Sequence, residues 1–447
     1  MHFPISMAVP ARFIGPRPAT CDVVVIGGGV IGVMSAWYLA ERGLSVTLCE
    51  KGRIAGEQSS RNWGWIRQQG RDPAELPIMV ESLRLWRGLS QSLRNPFGFR
   101  QAGVLYLANR EESLAAYDAW LPHAQEHGLD TRLLGRRDLG DKLGAAADHW
   151  LGGLFTPSDG QAEPWLAVPA LSLAAAERGV TLVEDCAVRA LDIAAGRVAG
   201  VVTERGRIAC SDVVLAGGAW SSLFARAYGV NLPQLSVLAS VARTEPMPEI
   251  FPGAAADDDF AIRRNDSGGY TIAGGSEHDF FIGPDAFRHA LKYRRAVKKD
   301  FLNTHYHWAA PRDYPDAWNT PRTWSASMPT PFERVRMLNP QPNLATLARA
   351  QTAFARAFPD LGRPKVQATW AGMIDTMPDV VPVIDRAPSI PGLTIATGMS
   401  GHGFGIGPGV GRVVADLVTG GTIGHDLTRF RLSRFTDGSE IILGPSL

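Results

Sequence analysis

Little in this chain points to metal, disulfide or membrane chemistry. Its 447 residues hold only four cysteines, Cys21, Cys49, Cys186 and Cys210, scattered and without C-x-x-C spacing. They read as reduced, mostly packed thiols of a cytoplasmic protein. Histidine is also thin: His305 and His307 stand without nearby acidic or cysteine partners, which reads as surface or packing, and no metal is expected. Neither sign of charge dominates, with Lys and Arg totalling 45 against 44 for Asp and Glu. The two are mixed along the chain, so the basic stripe that nucleic acid or an anionic membrane requires is missing. No run approaches the roughly 18 to 20 apolar residues of a membrane span. The first 20 residues, MHFPISMAVPARFIGPRPAT, carry prolines throughout and no apolar core, and read as an extension and a poor secretory signal. Repeats and low-complexity tracts are lacking. A small-molecule partner is the default that remains.

Glycine, by contrast, is plentiful, with 48 residues, and it clusters where chemistry is expected. From Cys21 the chain reads CDVVVIGGGVIGVMSAWYLAERGLSVTLCEK. Asp22 to Ile26 is a short β-branched run, Val30 to Arg42 carries apolar residues at helical spacing, and Ser45 to Cys49 is a second strand-like run. This is a βαβ unit. Gly27, Gly29 and Gly32 have the G-x-G-x-x-G spacing: a tight turn, room for a pyrophosphate, and close helix-to-strand packing. Val30 and Ile31 open the helix, whose positive end favours phosphate. Glu50 ends the second strand beside Lys51, suits a free ribose 2′-hydroxyl and would repel a 2′-phosphate, which favours FAD or NAD over NADP.

Further along lie groups that a flavin would use and NAD would not. GEQSSRNWGWIRQQGRDP offers Ser59, Ser60, Arg61 and Asn62 as donors to phosphate or flavin edge, Gly64 for close backbone approach, and two tryptophans, Trp63 and Trp65, that are unusual in a solvated loop. A strand-rich block from Val180 to Ser222 reads as a strand, a hairpin turning at Gly196, and a buried strand Asp212 to Ala216 ending in Gly217 and Gly218, with Trp220 just beyond. Near the C-terminus a strand-like LTIAT leads into GMSGHGFGIGPGVG. Here Gly401, Gly403, Gly405 and Gly407 are expected to form a loop against which a flat ring lies, with a helix running from near Pro408 to near Gly420.

With these residues in hand, the sequence resembles the FAD-dependent D-amino-acid oxidase superfamily, in the branch of glycine oxidase, sarcosine oxidase and amine or proline-type dehydrogenases. The matching elements are the βαβ unit, SSRNWG, VVLAGGAWS, and TWAGMIDTMPDVVPVIDR leading into PGLTIATGMSGHGFGIGPGVG. The resemblance implies an α/β fold in which a Rossmann-type FAD-binding domain (21–100, 151–235 and 366–435) interleaves with a β-sheet-based substrate domain (101–150 and 236–365), followed by a tail from 436 to 447. It assigns Glu50 to the adenosine ribose, Ser59 and Ser60 to the pyrophosphate side, the Val188 backbone to adenine, and the segment from Gly401 through Phe404 to Ile406 to the pyrimidine edge of the ring. Gly372 stands where sarcosine oxidases carry a cysteine attached to FAD, which implies non-covalent flavin. A lysine that promotes reaction with O2 in those oxidases falls on Thr271, and a lysine binding the substrate carboxylate falls on Gly405. One carboxylate ligand is retained as Arg67, in WIRQQG.

The chemistry implied by the resemblance is oxidation of a C–N bond. A hydride moves from the carbon beside a neutral amine to flavin N5, and the imine then hydrolyses, with positioning rather than an obligatory side-chain base supplying the rate. Arg67 leads the substrate-binding candidates, followed by Tyr270, His278, His402 and Trp370, with Phe404 as a cavity wall. The readings that remain are a self-sufficient amine or amino-acid oxidase using O2, and a dehydrogenase subunit handing electrons to a partner protein or quinone; a nicotinamide-dependent flavoenzyme ranks below both, since no second βαβ fingerprint is present. The aromatic- and proline-rich segment 287–343 is expected to cap the pocket or make a subunit contact.

Overall fold

The computed structural model describes residues 4–444. The βαβ unit forms as the spacing requires, with strand Val23–Ile26, helix Val30–Glu41 and strand Val46–Cys49. These two strands sit inside a six-stranded sheet ordered Val383–Arg386, Leu393–Thr397, Asp212–Leu215, Val23–Ile26, Val46–Cys49, Thr181–Val183. Every pairing is parallel except that of the first edge strand. The central strands are buried on both faces, which is why they read as continuous apolar runs rather than alternating ones. The hairpin Val188–Ala194 with Arg197–Thr203 turns through Ala195 and Gly196, both at positive φ.

Helix Val30–Glu41 is buried almost all round, as its uniformly apolar composition demands. The element that buries it is the C-terminal helix, and here the structure departs from the sequence reading. That helix spans Gly403–Thr419, so it begins well before Pro408 and absorbs most of the expected glycine loop. A Cβ at Gly407 would lie 2.6 Å from a Val30 methyl, and one at Gly411 would lie 2.5 Å from the Met34 main chain. A Cβ at Gly409 would come within 2.6 Å of the Ile78 carbonyl of helix Leu76–Ser92. The glycines are spaced to let three helices touch, and that packing outweighs their poor helix propensity of about 1 kcal/mol each.

A ten-stranded sheet makes the other half. In spatial order it contains Thr304–His307, His278–Phe281, Leu235–Thr244, Tyr270–Gly274, Phe260–Arg264, Ala254–Ala256, Val104–Ala108, Gly152–Thr156 and Arg132–Leu134. The long strand Val366–Thr376 joins off this path, antiparallel to Leu235–Thr244 from end to end. Gly152–Thr156 and Val366–Thr376 come from stretches that the sequence reading grouped with the nucleotide-binding segments. Helix Leu344–Ala357 covers one face of this sheet, its N-terminus capped by Asn343, whose side chain accepts from the amides of Ala345 and Thr346. Tyr270 belongs to that covered core. It is fully buried, its hydroxyl donates to the Phe251 carbonyl and accepts from the amides of Ile250 and Phe251, and it is thereby removed from the substrate candidates.

All four cysteines are free thiols, and Cys49, Cys186 and Cys210 are buried. His305 and His307 do have acidic partners, contrary to the sequence reading: Glu277 at 3.1 Å and Asp279 at 2.7 Å, across neighbouring strands. Among the described residues no group of three or more His, Cys, Asp or Glu side chains is placed to hold a metal ion, and no helix is long and apolar enough to cross a membrane.

Candidate active site

At the carboxyl ends of the parallel strands lies an open cavity. Its walls bring together Gly27, Gly29, Glu50, Lys51, Ser59, Val188, Gly217 and Trp220 from five separate stretches of chain. The glycines there are sterically required: a Cβ at Gly27 would sit 2.5 Å from the Ala216 carbonyl, and one at Gly32 would sit 1.9 Å from the Gly27 carbonyl. The Ser59 hydroxyl accepts from the Val30 amide at 2.9 Å, marking the helix terminus where a pyrophosphate oxygen could be received. Glu50 turns both carboxylate oxygens into the turn, accepting from the amides of Gly28 and Gly52, each at 2.7 Å. Burial outweighs these bonds and pushes its carboxyl up to about 7.

The cavity has a wall that sequence reasoning missed. Phe332, Arg336 and Met337, from the segment expected to cap the pocket, line it together with Arg53, Glu57 and Phe224. Glu57 organises that wall: one carboxylate oxygen accepts from Lys51 Nζ, the Trp220 indole and the Leu338 amide, at 3.0 to 3.1 Å. Lys51 lies over the Trp220 ring, 4.2 Å from its centroid. No local pattern around residue 332 signals this role, because the contact is made only after the chain has crossed the other sheet.

Several of the expected cofactor donors are committed elsewhere. Arg61 is buried and donates to the carbonyls of Gly56, Ala371 and Ile5 and to Asn339, so its guanidinium clamps strand Val366–Thr376 instead of meeting a phosphate. The Asn62 amide closes the short helix Gln58–Arg61 through the carbonyls of Gln58 and Ser59, while its oxygen accepts from the Gly64 amide. Phe404 and Ile406 point into the core, Phe404 against Trp86. Gly405 makes room for Arg71 and strand Trp65–Ile66, a Cβ there lying 3.2 to 3.4 Å from them. What remains for a ligand at this end is main chain: the first amides of a helix have no intrahelical acceptor, so those of Gly403, Phe404 and Gly405 are available. Gly401, at φ +85°, has an Ile374 methyl 3.9 Å from where its Cβ would lie. Ser60 Oγ and Trp65 Nε1 are buried without a described partner. Gly372 pairs with Ala239 beneath the sheet and touches only the Arg61 side chain, at 3.4 Å.

Two of the substrate candidates come together. Arg67 Nη2 lies 3.5 Å from His402 Nε2, the Arg67 guanidinium is 5.7 Å from the Tyr106 ring centroid, and Nη1 donates to the Gln69 carbonyl. Behind them stands a buried frame. Arg71 donates to the Arg67 carbonyl at 2.8 Å, to Glu75 at 2.8 Å and to the His402 carbonyl at 3.2 Å. His402 Nδ1 faces Glu75 at 3.3 Å. Burial lowers the His402 pKa against the opposing pull of Glu75; Glu75, despite the same burial, is held below the usual carboxylate range first by His402 and then by Arg71. Asp159 anchors the strand from below, accepting from the amides of Gln68 and Gln69, and burial raises its carboxyl to about 6. Among the described residues Arg67 makes no ion pair. Glu75, Arg71, Tyr106 and Asp159 escaped the sequence reading; the charged residues of RDPAE just after WIRQQG were the available signal. Trp370 packs with Trp165 and Val241, and its indole donates to the Arg61 carbonyl at 2.9 Å. Thr271 accepts from Arg263, at 3.3 Å. His278 lies on the strand next to the sheet's far edge, bonded to Thr304 and to the Ser276 carbonyl, away from this cluster.

Comparison with known proteins decides the family. The family model of FAD dependent oxidoreductases (DAO) matches residues 22–417. The chain belongs to this family. It is FAD-dependent, and the cavity that joins the glycine turn, Glu50 and Val188 fits a dinucleotide of that kind. The β subunit of sarcosine oxidase from Rhizobium meliloti is 27% identical, the match covering 95% of this chain and 90% of that protein. Among solved structures, L-amino acid deaminase from Proteus myxofaciens, in complex with anthranilate, superposes with a TM-score of 0.90 at 31% identity, over 95% of this chain and 97% of that one. L-Proline dehydrogenase from P. horikoshii gives 0.77 at 26% identity, over 95% and 100%. This family member is thus an oxidoreductase of the amine and amino-acid class.

Proposed function

We propose that the protein oxidises the C–N bond of an amino acid whose carboxylate is received by Arg67. The observation that carries this reading is Arg67 itself, a half-buried cation without a carboxylate partner among the described residues, braced through its own carbonyl by Arg71. A carboxylate there would gain roughly 1.5 to 3 kcal/mol per charged hydrogen bond. Bound FAD supplies the hydride acceptor, and Glu50, Ser59, Val188 and the first amides of helices Val30–Glu41 and Gly403–Thr419 would hold it. The ring of His402, favoured neutral by burial, adds no second charge beside Arg67. The aromatic wall of Trp63, Trp65 and Trp370 excludes water from the junction.

For the electron acceptor we favour a partner protein or quinone over O2, because Thr271 sits neutral where an O2-promoting lysine would be expected and its hydroxyl is occupied by Arg263. Non-covalent flavin follows from Gly372, and the purified protein should release intact FAD on acid denaturation. The direct test is an anaerobic screen of amines and amino acids that follows bleaching of the flavin spectrum, repeated in air and with an artificial acceptor. Amino acids should bleach the flavin, and turnover should need the artificial acceptor. Bleaching by plain amines alone would refute the carboxylate reading, and full turnover in air would refute the dehydrogenase reading.

A further inference from the structure

Cross-strand pairing fixes which residues of the larger sheet look toward the cofactor half, since directly opposed residues point the same way. Arg243 is opposed by Thr271 and by Ala368, and Thr271 is opposed by Arg263. One pleat along, Val241 is opposed by Ala273 and Trp370. Arg263 shows where this face looks, because it donates to the Trp63 carbonyl at 2.6 Å and to both oxygens of Glu163, at 2.8 and 3.1 Å. Arg243, Val241 and Trp370 therefore face the same junction, against Trp165.

The two arginines of this row differ in one respect. Arg263 is saturated by Glu163, the Trp63 carbonyl and Thr271. Arg243 has no such set. Among the described residues its side chain makes no ion pair and no hydrogen bond, its Nε is buried and unpaired, and its guanidinium lies 5.4 Å from the Trp165 ring centroid. Glu163, the acid whose charge senses it, is already taken by Arg263 and by the Asp266 amide. A half-buried guanidinium with a dry, unpaired donor is costly unless something completes it, and a planar fork over an aromatic face is matched by a carboxylate.

We propose that Arg243 receives a second carboxylate of the substrate, so that the amino acid oxidised here is dicarboxylic. The inference rests on the amino-acid reading above, with Arg67 taking the α-carboxylate. The test uses the FAD-loaded protein under anaerobic conditions. Flavin reduction by glutamate and aspartate, in both enantiomers, is compared with that by glutamine, asparagine and leucine, and non-oxidisable glutarate and butyrate are titrated against the flavin spectrum. The acidic substrates should half-saturate at lower concentration than their amides, and glutarate should bind more tightly than butyrate. Arg243→Gln should erase both preferences, a relative loss of roughly 10- to 100-fold, and Arg243→Lys should restore part of each. Reduction by neutral amino acids with no acidic preference would overturn this proposal alone, as would equal losses on acids and amides in Arg243→Gln. Reduction by no amino acid at all would overturn it together with the reading on which it rests.

Discussion

At the nucleotide cavity, recognition is built from main chain at the ends of parallel strands, with glycines clearing the space and a single carboxylate, Glu50, turned back on its own loop. Under the larger sheet it is built from polar and charged side chains that hold one another, four residues apart in Arg71 with Glu75 and across long sequence separations in Arg263 with Glu163 and Arg67 beside His402. The first kind of site fails when atoms are added and the second when charge is removed. That difference orders the expected effects of mutation.

The largest effect should come from breaking a buried pair at the junction. Arg263 and Glu163 are 1% and 2% exposed, so Glu163→Gln leaves a buried guanidinium uncompensated and should cost about 3 to 5 kcal/mol of stability in denaturant unfolding. Loss of less than about 1 kcal/mol would show that the junction does not depend on its charges. At the nucleotide end, Glu50→Gln should leave folding intact and weaken FAD binding to the apoprotein by roughly 10- to 100-fold, the worth of a charged hydrogen bond. Gly411→Ala should cost about 1 to 3 kcal/mol through overpacking, because the new Cβ meets Met34 main chain, which cannot rotate away. Gly407→Ala should cost less, since it meets a Val30 methyl.

A smaller effect is one of pH. The Glu50 carboxyl is raised to about 7 in the free site, and a ribose hydroxyl donating to it favours the ionised form, so the pKa must fall on binding. FAD affinity should therefore rise as pH increases through about 7 and weaken as it decreases below that value, by at most about ten-fold per pH unit. Equilibrium titration of apoprotein between pH 6 and 8 reads this directly, and in Glu50→Gln the slope should vanish.

The same contrast explains what the sequence made legible. A main-chain site leaves a local signature, because its turn, helix and strand are contiguous; the βαβ unit could be read to within a residue at its boundaries, and the turn of the Gly196 hairpin and strand Leu393–Thr397 were legible too. The C-terminal helix was misread at its start because glycine signals a loop locally and a helix–helix contact only when the partner is known. Tyr270 and Arg61 were misread for a related reason. Their polar atoms are satisfied by carbonyls and amides from distant segments, such as Phe251 for one and Ala371 for the other, so nothing nearby in sequence distinguishes them from ligand-binding groups. Arg243 could not be singled out at all, since being unpaired is a property of the folded junction.

The central claim is that this family member acts on an amino acid held by Arg67, and one comparison tests it most directly. Anaerobic flavin reduction by an amino acid and by its decarboxylated amine is measured for the unmutated protein and for Arg67→Ala, each loaded with FAD. The half-saturating concentration of the amino acid should rise by roughly 10- to 100-fold in Arg67→Ala, while that of the amine should move little. Equal losses on both, or a better reaction with the amine in the unmutated protein, would contradict the claim.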